Sequence, residues 1–141
     1  MSSFVLRLRL AWLIVLFTGP WNPAFAQPTL KAGVDAFAQQ QFQQARRIFL
    51  ALSKDNKVAQ FGLGKIYRHG LGTAVDFQKA LHWYQKAAQQ NYAVAMSHLG
   101  EMHEQGQGVR INLDRARNWY RMACSNRCSE GCQHLKRLDK H

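Results

Sequence analysis

Acidic side chains are scarce in this chain. Eight Asp and Glu stand against 19 Lys and Arg, a net charge of +11 over 141 residues. That balance disfavours cationic partners and points to acidic proteins, anionic lipid or glycan surfaces, or non-specific nucleic acid. Catalytic signatures are missing as well. There is no Walker-type phosphate loop, no H-E-x-x-H, no G-x-S-x-G and no S-x-x-K, which excludes the usual phosphate-transfer, zinc-hydrolase and serine-acylation sites. Glu101 and Glu104 are the one carboxylate pair that could suggest acid–base work, and three apart on an exposed helical face they read as solvated. The apolar run at residues 10–17 (LAWLIVLF) is short of the ~20 residues a bilayer span needs. No Cys stands directly after that run, so a lipoprotein anchor is not expected.

What is present at the start has the order of an export signal. Arg7 and Arg9 precede the apolar run, Gly19 and Pro20 break it, and Ala24-Phe25-Ala26 gives a small-x-small cleavage pattern. The expectation is a signal peptide over residues 1–26 and a mature chain from Gln27 to His141 in a bacterial periplasm or outside the cell. Without Arg7 and Arg9, 17 Lys and Arg face 8 Asp and Glu, a net +9. An exported chain rarely meets nucleic acid, so that partner is discounted, and no stable membrane span is expected after cleavage.

The mature chain matches itself at a shift of 36 residues. Ala59, Leu63, Gly64, Gly70, Gly72, Ala80, Trp83, Tyr84 and Ala87 recur as Ala95, Leu99, Gly100, Gly106, Gly108, Ala116, Trp119, Tyr120 and Ala123. A fixed period of this length is the mark of stacked helical repeats. Within residues 58–90, Ala59, Leu63, Ile66 and Tyr67 fall on one stripe of a helix A that ends near His69. Gly64 removes a side chain on that face and lets a second helix come close. Gly70 and Gly72 stop the helix, and Asp76 caps a helix B from about Phe77 to Gln89. Helix B should bury Phe77, Ala80, Leu81, Tyr84 and Ala87, with Trp83 also packed in the core. Residues 94–125 repeat the plan, with Asn112 or Asp114 as the cap.

A degenerate unit precedes these. Phe42, Ala45, Ile48, Phe49 and Leu52 match the second helix at a shift of 35, and Gly33 and Phe37 belong to a shorter first helix, giving a unit at about residues 29–54. Gly131, His134 and Leu135 continue the phase of Ala95, His98 and Leu99, so a capping helix is expected over about residues 129–140. The fold class is all-α, a solenoid of αα-hairpins.

The motif A-x3-L-G-x2-Y-x2-G-x-G followed by A-x2-W-Y-x2-A resembles the Sel1-like repeat, a relative of the tetratricopeptide repeat. The second copy departs mildly, with His103 where Tyr67 stands. The resemblance implies right-handed stacking of antiparallel helix pairs and service as a protein-binding adaptor, not an enzyme. Some Cys-rich relatives are linked to penicillin or muramyl-peptide binding, which makes a peptidoglycan- or β-lactam-interacting protein the runner-up.

The three cysteines lie together, at 124, 128 and 132. Cys124 ends a helix B and Cys132 starts the closing helix, a disulfide candidate in an oxidising compartment, although the odd count leaves the pairing open and free thiols are the alternative. The resemblance implies a Cys124–Cys132 bond, since A-C-x6-G-C is similar to the helix-linking disulfide of secreted Cys-rich Sel1 proteins. Cys128 is then left over, either free or joined to a second chain. Cys124, Cys128, Cys132 and His134 also offer four zinc or copper ligands. Their spacing matches no common zinc motif, so neither metal nor cofactor is expected.

A binding face can also be read. On helix A, Phe61, Lys65 and Arg68 point away from helix B toward an inner groove. The repeat shift carries Phe61 to Ser97, and Lys65 and Arg68 to Glu101 and Glu104, then to Arg137 and Lys140. Neighbouring A helices would present positive, negative and positive charge to a mixed-charge or acidic segment. Because these positions lie outside the core stripe, reversing Glu101 and Glu104 to Lys is expected to leave the fold intact.

Overall fold

The computed structural model describes residues 27–140; residues 1–26, on which the expected export signal falls, and His141 lie outside the described residues. Seven helices follow one another, with no strand among the described residues: α1 (Leu30–Ala38), α2 (Phe42–Leu52), α3 (Lys57–His69), α4 (Phe77–Gln89), α5 (Ala93–Gln105), α6 (Leu113–Ser125) and α7 (Ser129–Leu138). None of them is long and apolar enough to cross a membrane.

Each repeat is one hairpin. α1 packs on α2, α3 on α4 and α5 on α6, and α2–α3, α4–α5 and α6–α7 contacts join successive units. The odd-numbered helices form one side, where α1 meets α3 and α5 meets α7. The seams are lined by fully buried alanines at equivalent positions: Ala45, Ala80 and Ala116 on the even helices, and Ala59 and Ala95 on the odd ones. Side chains this small let backbones approach, and the larger Tyr84, Tyr120, Leu63 and Leu99, also fully buried, fill the space between.

The loops follow the sequence closely. Gly70 and Gly106 end α3 and α5 at φ 65° and 69°, the left-handed region that glycine enters without cost. Asp76 accepts from the backbone N–H of Lys79, and of the two candidates in the next unit it is Asn112 that caps, accepting from Arg115. Asp114 pairs with Arg117 instead. The amide of Asp76 donates to the Tyr67 carbonyl at 2.8 Å, and that of Asn112 to the His103 carbonyl at 2.9 Å, so His103 keeps the backbone role of Tyr67.

Two expectations about burial are corrected. Phe77 is only half-buried, with the backbone of Gly108 from the next loop lying against its Cβ. Trp83 and Trp119 are half-buried at the margin of the core; a helix face is wider than the seam, and Tyr84 and Tyr120 take the central place. Lys86 covers the Trp83 ring, its Nζ 5.0 Å from the centroid.

At the C-terminal end, Cys124 and Cys132 are joined by a disulfide with Cα atoms 4.6 Å apart, and Cys128 is free and buried. The bond draws the end of α6 against the first turn of α7. Gly131 stands where Ala59 and Ala95 stand in earlier units, and a Cβ there would run into Ala123 and the backbone of Cys124. Closing a loop of 8 residues stabilises by about 2.5 kcal/mol in the chain-entropy model. Cys132→Ser is therefore expected to lower stability by about that amount and to speed amide exchange in α7 ahead of α3. Equal acceleration in both helices, followed by hydrogen-exchange mass spectrometry, would show that the bond does not act locally.

Candidate functional site

The groove residues read from the repeat do lie along the odd-numbered helices, but most of them face one another. Arg68 is 7% exposed. Its guanidinium donates to Glu101 at 2.6 Å and to Gln107 at 2.8 Å, and lies 2.9 Å from His98 Nδ1. Glu101 in turn has His134 Nε2 of α7 at 3.6 Å from its other oxygen. One carboxylate thus ties α3, α5 and α7 together. Burial works against its charge, yet hydrogen bonds from His98 and Arg68 outweigh that and hold its pKa down to about 2. Glu104 accepts from Tyr120 at 2.7 Å and pairs with Arg137 at 2.7 Å. The Arg137 hydrogen bond is the main reason its pKa lies below the ordinary glutamate range.

Several expectations are overturned here. Glu101 and Glu104 are not solvated; their side chains are 15% and 17% exposed. Ser97 is fully buried and offers nothing to a groove. Lys65 reaches neither glutamate, because its Nζ lies over Phe37 of α1, and Arg68 alone takes Glu101. Lys140 is exposed beyond the end of α7 and pairs with no described carboxylate. Four of the six charges, Arg68, Glu101, Glu104 and Arg137, therefore pair with one another between helices, and no open mixed-charge groove is left among the described residues. The metal reading of the cysteines fails too, because the disulfide consumes two of the four ligands and His134 turns to Glu101. Glu101, Glu130 and His134 do bring ligand atoms within 4.8 Å of one another, but Arg68 already neutralises Glu101.

What remains open is an apolar cleft of about 170 Å³ between α1 and α3, lined by Val34, Phe37, Val58, Phe61, Lys65 and Tyr92. Its origin lies in one repeat position. At the two later junctions an imidazole stacks on the tyrosine of the preceding unit: His98 on Tyr84 at 5.3 Å, and His134 on Tyr120 at 4.8 Å. Gly62 occupies that position at the first junction and touches the ring of Phe49 with backbone alone. With no imidazole there, the face stays open. Phe61 forms the far wall, 5.2 Å from the Tyr92 ring and 5.4 Å from His98. Lys65 spans the cleft, its Nζ 5.2 Å from the centroid of Phe37 and 5.9 Å from that of Phe61, a cation–π arrangement.

Phe61 and Lys65 are thus brought together as expected. Val34, Phe37 and Tyr92 were not singled out by sequence reasoning for this face. Val34 and Phe37 belong to the degenerate unit, whose alignment rests on its second helix, and the Gly62–His98–His134 alternation was the signal that could have revealed the opening.

Known proteins agree with this architecture. The Sel1 repeat model matches residues 57–92 and 93–127. A solved Sel1 repeat protein from Oxalobacter formigenes is 29% identical and superposes with a TM-score of 0.74 over 78% of this chain and 46% of its own. A protective antigen present in uropathogenic Escherichia coli strains, displaying an SLR fold, is 30% identical with a TM-score of 0.73, over 78% of this chain and 25% of its own. The chain thus spans less than half the length of these two structures. No curated protein is similar enough to count as a match.

Proposed function

The chain belongs to the Sel1 repeat family, and from that premise we propose that it is a non-catalytic adaptor of the bacterial periplasm or cell exterior which holds a partner protein on the face of its odd-numbered helices. Repeats of this family generally mediate protein–protein contacts, and their function lies in the surface that each member presents. The observation that carries the reading is the cleft between α1 and α3, where aromatic and aliphatic side chains stay open to solvent and Val34 is 45% exposed. Elsewhere on that face the polar groups are spent on one another. The extracytoplasmic location is supported by the disulfide, which persists in oxidising compartments, together with the signal-like residues 1–26.

A photo-crosslinking residue placed at Val34 tests the reading. In envelope preparations it is expected to give a discrete adduct, whereas the same residue at Arg121, on the exposed side of α6, gives none. An adduct at Arg121 and none at Val34 would move the binding surface to the basic outer face around Arg115, Arg117 and Arg121.

A further inference from the structure

Lys65 is the unusual charge on this face. It is half-buried, and it lies over two rings that themselves wall the cleft. It pairs with no carboxylate among the described residues, although its neighbours Arg68 and Arg137 have Glu101 and Glu104. A half-buried lysine whose ammonium has no anion beside it favours a ligand that supplies one. A single ammonium matches a single carboxylate, and the arginines that would add further donors for a more highly charged anion, Arg68 and Arg137, are already engaged.

The shape narrows the ligand further. At about 170 Å³ the cleft is below the range of drug-sized pockets, about 300–1,000 Å³, and suits one side chain. Its α3 wall runs through Val58, Phe61, Gly62 and Lys65, two helical turns or about 10 Å. Tyr92 and Val58 make one end apolar, and Lys65 makes the other cationic. In an extended peptide, adjacent side chains point to opposite faces, and those two apart share a face about 7 Å from one another. That interval fits within the wall.

We infer that the cleft reads an extended segment of the partner protein in which an apolar side chain seats against Val58, Phe61 and Tyr92 while an Asp or Glu two residues away pairs with Lys65 over Phe37. The inference rests on the adaptor reading above and names the partner's chemistry. The basic excess of the chain acts in the same direction, steering an acidic segment toward the face.

The test is an NMR titration of the 15N-labelled full chain with an acetylated and amidated heptapeptide of glycine and serine that carries leucine and glutamate two positions apart. Three control peptides replace glutamate by glutamine, replace leucine by serine, or set the two adjacent. The parent peptide is expected to shift the amides of Phe61, Lys65 and Tyr92, and each control to bind about threefold to fivefold more weakly. Lys65→Met, which keeps the apolar stem, is expected to abolish the preference for glutamate over glutamine and to retain the preference for leucine over serine. Equal binding of the glutamate and glutamine peptides by the unaltered chain overturns the inference. So does equal binding of the adjacent peptide, and so does the absence of any shift in the cleft. These outcomes leave the adaptor reading standing if Val34 still captures a partner; that reading falls only with the crosslinking result.

Discussion

Gly100→Leu is expected to destabilise the chain by about 3 kcal/mol or more, at the upper end of overpacking costs. A Cβ on Gly100 would meet three atoms of the Tyr120 ring at 3.0 Å or less, and one on Gly64 would meet three atoms of Tyr84 below 3.0 Å. Both rings are fully buried and have nowhere to move without parting the hairpin. The alanine variant gives a sharper sign. At an exposed helical glycine, alanine stabilises by up to about 1 kcal/mol through propensity. Here the clash outweighs that gain, and Gly100→Ala is expected to be net destabilising. Urea unfolding followed by tryptophan fluorescence reads both variants. A midpoint for Gly100→Ala at or above that of the unaltered chain would show that the seam has slack the geometry does not reveal.

Glu101→Lys is expected to cost about 3–5 kcal/mol, as removal of one partner of a buried pair does. The new ammonium would stand among Arg68, His98 and His134, which now converge on the carboxylate. The enclosure of Glu101 and Glu104 removes the ground on which reversing both was expected to spare the fold. The same carboxylate sets a pH dependence. Its folded pKa of about 2 lies below the ordinary 4.5, so its contribution is fully present above about pH 4.5 and is lost as pH falls toward 2. The contribution is on the order of 2 kcal/mol once solvent screening of this partly exposed group is allowed for. Denaturation midpoints at pH 7, 4 and 2.5 are expected to converge for the unaltered chain and Glu101→Gln as the pH drops. A gap that stays constant over that range would assign the stabilisation to some other group.

The fold was legible because the repeat records its own packing. The identical spacing from Gly64 to Tyr84 and from Gly100 to Tyr120 encodes one close approach made twice, and the stop glycines and capping Asp76 and Asn112 encode the ends. The degenerate unit makes the same approach by other means, with Gly33 and Gly62 on either side of the Phe49 ring. The site was legible only in part. A helical-wheel argument assigns Lys65 and Arg68 to one face but is silent on which of them reaches a carboxylate on the next helix. Direction decided it: Lys65 turns to Phe37 of α1 while Arg68 turns to Glu101 of α5, and four expected binding charges became internal ties. The wheel likewise placed Ser97 with Phe61 by phase alone, whereas Ser97 is fully buried and Phe61 is only half-buried. The cleft is not legible in the repeat because it arises from a missing side chain, at Gly62, the position where the recurrence of His98 and His134 fails.

Repeat proteins are commonly treated as beads whose interface energies add along the chain, each interface depending only on its two neighbours. Glu101 breaks that independence, since its two oxygens face Arg68 of one unit and His134 of another. Truncating either partner changes the charge that the other one sees. Arg68→Ala and His134→Ala should therefore be non-additive in a double-mutant cycle, even though their helices belong to different interfaces. The two junctions would then melt as one thermodynamic unit, and the first junction, where Gly62 offers no such tie, would be the natural hinge of the stack.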